Sequence, residues 1–152
     1  MPLNAELVGK TYPAPETFEV GREHIRSFAL AIGEPDPLHL DPEAAKAAGY
    51  ADVVAPPTFL TTLSFRFAAY GPVVDPDLGL NYAMVVHGEQ KFAHARPVIA
   101  GDRLKATSTI AEIRSAGRNE YLTVMTDVTD EKDGTPVSSL TQVIVSRGTA
   151  AE

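Results

Sequence analysis

Apolar positions along the chain first recur at helical spacing and then give way to long runs rich in β-branched residues. A short run, "TFEV" at 17–20, reads as a strand. In "GREHIRSFALAIG", Ile25, Phe28, Ala29 and Ile32 fall at i, i+3, i+4 and i+7, the stripe of an amphipathic helix. Gly33 suits its C-terminal cap and Pro35 stops its continuation. "LDPEAAKAAGY" predicts a second, short helix with Asp41 as N-cap, Pro42 in the first turn and Gly49 at the exit. Pro56 and Pro57 open a third helix from Thr58 onward. There Phe59, Leu60, Leu63, Phe67 and Tyr70 keep helical spacing, and apolar residues cover so much of the circumference that a buried helix is expected. Gly71-Pro72 ends it, and "VVDPDLGLNY" reads as irregular loop.

Strands dominate from there on. "MVVHGEQKFAHARPV", "RLKATSTIAEIR", "EYLTVMTDVTDE" and "PVSSLTQVIVSR" are separated by the turn signals "AGD", "SAGRN" and "KDGT". Asp133-Gly134 is a hairpin dipeptide. The closing "GTAAE", 148–152, is expected to fray. Helices followed by an antiparallel meander give an α+β fold, with the helices on one face of the sheet. A mostly apolar helix before a long curved sheet suggests that the sheet wraps the helix, the arrangement called a hot dog fold. Such a sheet leaves an open edge, suited to pairing with a second copy or a relative. At 152 residues, one domain spanning 1–152 is expected.

Composition narrows the function. A net charge of −7 argues against nucleic acid, which needs clustered Lys and Arg. No basic run suggests an anionic membrane surface, and no apolar run reaches the length of a membrane span. Without cysteine there is no disulfide, thiol nucleophile or thiolate metal site. The N-terminus lacks the order of a signal peptide, so a soluble cytoplasmic protein is expected. No metal-ligand spacing, phosphate-cradling loop or Ser–His–Asp signature stands out, and neither a metal nor a cofactor is expected.

The candidate chemistry lies in "AIGEPDPLHLDP", 31–42. Two carboxylates, Glu34 and Asp36, and one imidazole, His39, are set among three prolines at a helix exit. Taken alone, Glu34 and Asp36 also fit turn residues, and Asp41 an N-cap. His24 is expected to be solvated. His87 and His94, seven apart in one strand, face opposite sides under strict alternation and make a poor shared metal site. Phe59, Phe65 and Phe67 read as core rather than as a ligand box.

The stretch "FALAIGEPDPLHLD" resembles the hydratase motif of the MaoC-like family of hot dog dehydratases and (R)-specific enoyl-thioester hydratases. "TYPAPETFEVGREHIRSFA", "VAPPTF" and "VVHGEQKFAHARPVIAGDRL" resemble its N-terminal-type, FAS1-like subgroup. That subgroup includes substrate-binding subunits of the mycolic-acid dehydratase and uncharacterised actinobacterial relatives. The likeness runs over residues 8–148. It implies a hydro-lyase acting on an acyl-CoA or acyl-carrier-protein thioester, working as a homodimer or as a heterodimer with a MaoC-like subunit. The family's catalytic Asp falls on Glu34, its motif Asn on Asp36 and its catalytic His on His39. Pro57, Thr58, His87 and Gly88 are the implied substrate-binding positions.

The chain departs from the motif in three ways. Glu34 is one methylene longer than Asp, and a shift near 1 Å costs about 10²-fold where geometry is tight. Asp36 replaces a neutral Asn. The glycine whose N–H polarises the thioester carbonyl falls on Pro57, which has no N–H, leaving Thr58 as the next donor. Two other readings stay open: a non-catalytic acyl-binding subunit completed by a MaoC-like partner, and a hot dog thioesterase.

Overall fold

The computed structural model describes residues 1–150. Among the described residues nine helices and strands follow one another: β1 (Thr11–Pro13), β2 (Phe18–Glu19), α1 (Arg22–Ala31), α2 (Pro42–Ala47), α3 (Thr61–Arg66), β3 (Val85–His94), β4 (Arg103–Ala116), β5 (Asn119–Asp130) and β6 (Pro136–Ser146). Short 3₁₀ turns fill the connections. The strands form one antiparallel sheet in the order β1-β4-β5-β6-β3, with β2 also on β4. This is the α+β hot dog fold, with helices and loops packed on one face of the sheet.

The core follows the alternation of the strands. Phe59, Leu60, Leu63 and Phe67, on and beside α3, pack with Leu104, Ala106, Val128, Val137 and Leu140 of the sheet and Ile25 of α1. Burying a side chain of this size contributes about 1.5–3 kcal/mol. A second cluster, around Leu78, Ile110, Leu122 and Ile144, is closed by the N-terminal segment and the loop after α3.

The third helix is shorter than its apolar spacing predicts. Residues 58–60 form turns closed by i→i+3 bonds, Phe59 N–H to Pro56 O and Thr61 N–H to Thr58 O, and only Thr61–Arg66 is α-helical. A residue before proline is disfavoured from the helical region, so the α-helix does not begin at Pro56 and the chain enters through tighter turns. Nor is this helix buried all round: Phe65 is 68% exposed, and Arg66 reaches Glu16 at 2.6 Å. In α1, Ile25 and Ala29 are fully buried, but Ile32 lies past the helix end and is exposed. The loop expected over 73–82 is a chain of 3₁₀ turns that buries Leu78 completely.

Fraying of the C-terminal residues is not what the structure shows for 148–150. The Thr149 hydroxyl donates to buried Glu120 at 2.7 Å, and Ala150 N–H donates to Arg118 O. Residues 151 and 152 of the expected tail lie outside the described residues. No described helix is long and apolar enough to cross a membrane.

Candidate active site

Glu34 owes its place to the end of α1. Gly33, with φ +73°, turns the chain so that its N–H reaches Leu30 O at 3.2 Å and Glu34 N–H reaches Ala29 O at 2.8 Å. This pair of bonds is a Schellman cap, and it fixes the first residue beyond the helix. Glu34 is half-buried. Its Oε1 accepts from Asp36 N–H at 3.1 Å.

Asp36 starts the next turn. Its Oδ1 accepts from Leu38 N–H at 2.9 Å and caps the 3₁₀ turn Pro37–His39. The side chain is exposed. Asp36 therefore acts locally as a cap and does not line the cavity that holds Glu34 and His39. A short polar side chain between two prolines has a ready partner two residues on, which outcompetes a longer reach.

His39 closes that turn and is buried at 8% exposure. Its Nδ1 lies 2.5 Å from Val54 O. A carbonyl only accepts, so Nδ1 carries the proton and Nε2 of the neutral ring keeps its lone pair. Val54 is held in turn by Leu38 O and by a bridge to Ile99, so two neighbouring segments set the ring. No hydrogen bond joins Glu34 to His39 among the described residues.

These two residues line a cavity of about 540 Å³. Val54–Pro57, Phe59, Leu60 and the end of β3 through Val98 complete its wall. Most of the wall is apolar, which strengthens electrostatic interactions inside. At its edge Arg96 donates to Asp102 and Asp130 at 2.8 and 3.0 Å, and hydrogen bonding to Asp102 raises the guanidinium pKa further.

Pro57 lines this cavity, whereas Thr58 is exposed and does not. His94 is the residue that strand reasoning missed. It lines the cavity with Nε2 at 2.8 Å from Pro57 O and Nδ1 at 3.0 Å from Ser138 Oγ. Strict alternation puts His87 and His94 on opposite faces, and the structure overturns this. Register runs from His87↔Ile144 to Glu89↔Val143, so Gly88 is an extra residue. His94 pairs with Ser138, six residues from Ile144, and the two histidines share a face. The signal was Gly88 itself: an isolated glycine inside a strand marks a bulge.

Gly88 is a packing glycine. A Cβ there would stand 2.9 Å from Val145 Cγ2, against β6 and not in either cavity. His87 lines a second, mostly apolar cavity of about 260 Å³ beside the far end of α3, and its Nε2 lies 2.9 Å from Glu89 O. The four implied substrate-binding positions thus scatter: Pro57 at the first cavity, His87 at the second, Thr58 and Gly88 at neither. His24 is exposed as expected, yet its ring packs edge-on against Phe59 at 4.9 Å.

Comparison with known proteins bears on this site. The family model for the FAS1-like dehydratase domain region matches residues 6–139. The chain belongs to that family. A UPF0336 protein of Streptomyces avermitilis is 52% identical over 144 residues, 95% of each chain. Among solved structures, the HadBC (3R-hydroxyacyl-ACP dehydratase) complex of Mycobacterium tuberculosis is similar with TM-score 0.78 and 29% identity, over 91% of this chain and 96% of that one. A MaoC-like dehydratase matches with TM-score 0.82 and 31% identity, over 93% of this chain and 42% of that one. Family and neighbours together make this a dehydratase-type hot dog chain.

Proposed function

We propose that the chain acts as a 3-hydroxyacyl-thioester dehydratase, in reverse an (R)-specific enoyl-thioester hydratase, on acyl groups carried by CoA or acyl carrier protein. The observation that carries this reading is His39, whose Nδ1–H is committed to Val54 O, beside Glu34 on one apolar-walled cavity. A neutral ring with that tautomer is ready to act as a base through Nε2. In the hydration direction, water oxygen bonds C3 as its proton passes to His39 Nε2. The electron pair of the double bond moves toward the thioester carbonyl, and C2 then takes the proton from His39 Nε2, which returns the ring to neutral, so one water adds overall. Glu34 is the carboxylate partner that holds the water and balances the imidazolium. The acyl tail lies along α3 toward the second apolar cavity.

Hydration of crotonyl-CoA tests this. The wild-type chain is expected to turn it over, and His39→Ala to lose about 10²–10⁴-fold in kcat, the range for a general base. Equal rates in the two proteins would remove His39 from the mechanism. Release of free thiol from acyl-CoA without hydration would replace the reading with a thioesterase.

A second reading has its own support. The Pro57 carbonyl, not an N–H, meets His94 at the cavity, and the HadBC neighbour is a two-subunit complex. In this reading the chain binds the acyl group and a MaoC-like partner supplies the working donor. The open edge of β3, with Met84 and Val86 exposed beside it, is the pairing edge. Turnover only after mixing with such a partner supports it, whereas His39-dependent turnover by the isolated chain excludes it as the whole account.

A further inference from the structure

The thioester oxygen needs a donor in the transition state, and the Pro56–Phe59 turn decides whether the backbone offers one. Phe59 N–H bonds Pro56 O at 2.9 Å, which closes a β-turn with Pro57 and Thr58 at its centre. Among the described residues no non-glycine has positive φ, so Thr58 sits at negative φ and the turn has the type I sense. The Pro57–Thr58 peptide is trans, so the Pro57 carbonyl and the Thr58 N–H, which share one planar peptide, point opposite ways. That carbonyl points at His94 Nε2, 2.8 Å away, on the cavity wall. The Thr58 N–H is therefore turned away from His94.

We propose that His94 is a positioning residue that latches the Pro57–Thr58 peptide with its carbonyl toward the cavity, holding the Thr58 N–H out of reach of a bound thioester. The proposal rests on the dehydratase reading above. His94 is built for the task from both sides of its ring. Nε2–H donates to Pro57 O, the Ser138 hydroxyl serves Nδ1, and Phe92 stacks on the ring with centroids 5.8 Å apart. Ser138 is buried at 5% exposure on β6, so the latch is anchored in the sheet. The second obstacle is Thr58. Rotating this peptide by half a turn gives a type II turn, which needs positive φ at the third position, a conformation that a β-branched residue resists and glycine accepts. Rotation exchanges the carbonyl for the N–H on the side of His94, so one motion turns an acceptor into a donor.

Both obstacles can be removed at exposed positions, where folding is not at stake. Crotonyl-CoA hydration is measured for wild type, Thr58→Gly, His94→Phe and the double variant, with thermal unfolding as the check on folding. Because one oxyanion donor is worth about 10²–10³ in kcat, the double variant gains at least roughly tenfold in kcat with KM little changed. That gain exceeds the product of the two single effects, since neither change alone frees the peptide. Nitrogen NMR of ¹⁵N-histidine-labelled wild type is expected to show His94 protonated at Nε2 with slowed exchange of that proton. His39-dependent turnover that does not rise in the double variant overturns the latch alone. No turnover in any of the four proteins overturns the kinetic claim and the dehydratase reading together. An Nδ1-protonated or freely exchanging His94 ring overturns the latch whatever the rates.

Discussion

Single side chains at the helix exit divide the labour that the motif implies for them. Asp36 and His39 stand three apart, yet Asp36 answers to Leu38 N–H and His39 to Val54 O. The type of each side chain was legible in sequence, but its partner was not. Asp36 is also a good turn residue between prolines, and that local bond won. Asp36→Ala is expected to destabilise the fold by about 0.5–2 kcal/mol through the lost cap, while Asp36→Asn retains the acceptor and stays close to wild type. Urea unfolding of the two variants checks this, and equal losses in both would remove the capping role. Gly88 makes the complementary case. Its Cβ-free approach to Val145 permits the bulge that swings the rest of β3 round. Gly88→Ala forces β3 and β6 apart and is expected to cost about 1–3 kcal/mol.

At the scale of elements, the order of helices and strands was readable because period and caps agreed. Ile25 and Ala29 on α1, Asp41 before α2 and the turn at Gly134 all stand where spacing and turn chemistry put them. What spacing could not supply was the length of α3, because Pro56 and Pro57 impose turns on residues whose side chains still alternate like a helix. It also could not supply the face of His94, since one inserted residue reverses alternation. The Schellman cap at the end of α1 links element to site. Gly33 holds φ +73°, where an added Cβ costs roughly 1–2 kcal/mol. Gly33→Ala is expected to lose that stability and, if Glu34 serves the proposed hydration, to reduce its kcat more than its KM by displacing Glu34. A Gly33→Asn variant, better suited to the left-handed region, recovers part of both. Loss of stability with kcat unchanged would separate Glu34 from the chemistry.

Across the whole molecule, the sheet's β1 edge is tied to the loop after α3 by charge. Lys10 Nζ and the Tyr12 hydroxyl both reach Asp75 Oδ2, at 2.6 and 2.8 Å, and Asp75 Oδ1 accepts from Asp77 N–H. Lys10 first, then Tyr12, lowers the Asp75 carboxyl pKa to about 2, while burial, with Asp75 adding to it, pushes the Tyr12 phenol up. A carboxyl whose pKa is lower in the folded state than in the unfolded chain stabilises the fold above its unfolded value and loses that contribution as pH falls toward the folded one. The window for Asp75 is therefore between about pH 4 and pH 2. This loop carries Leu78, the cover of the second core cluster, and Val73 and Leu80, which line the second cavity. Acid release of Asp75 thus loosens the second cavity. The Asp75→Asn protein is expected to show a flatter urea midpoint from pH 4 to pH 2 than wild type, and to bind an apolar fluorescent probe near neutral pH that wild type binds only in acid. If the two proteins follow the same acid profile, the Lys10–Tyr12–Asp75 cluster is not what closes the cavity, and the apolar packing of Leu78 alone holds the loop.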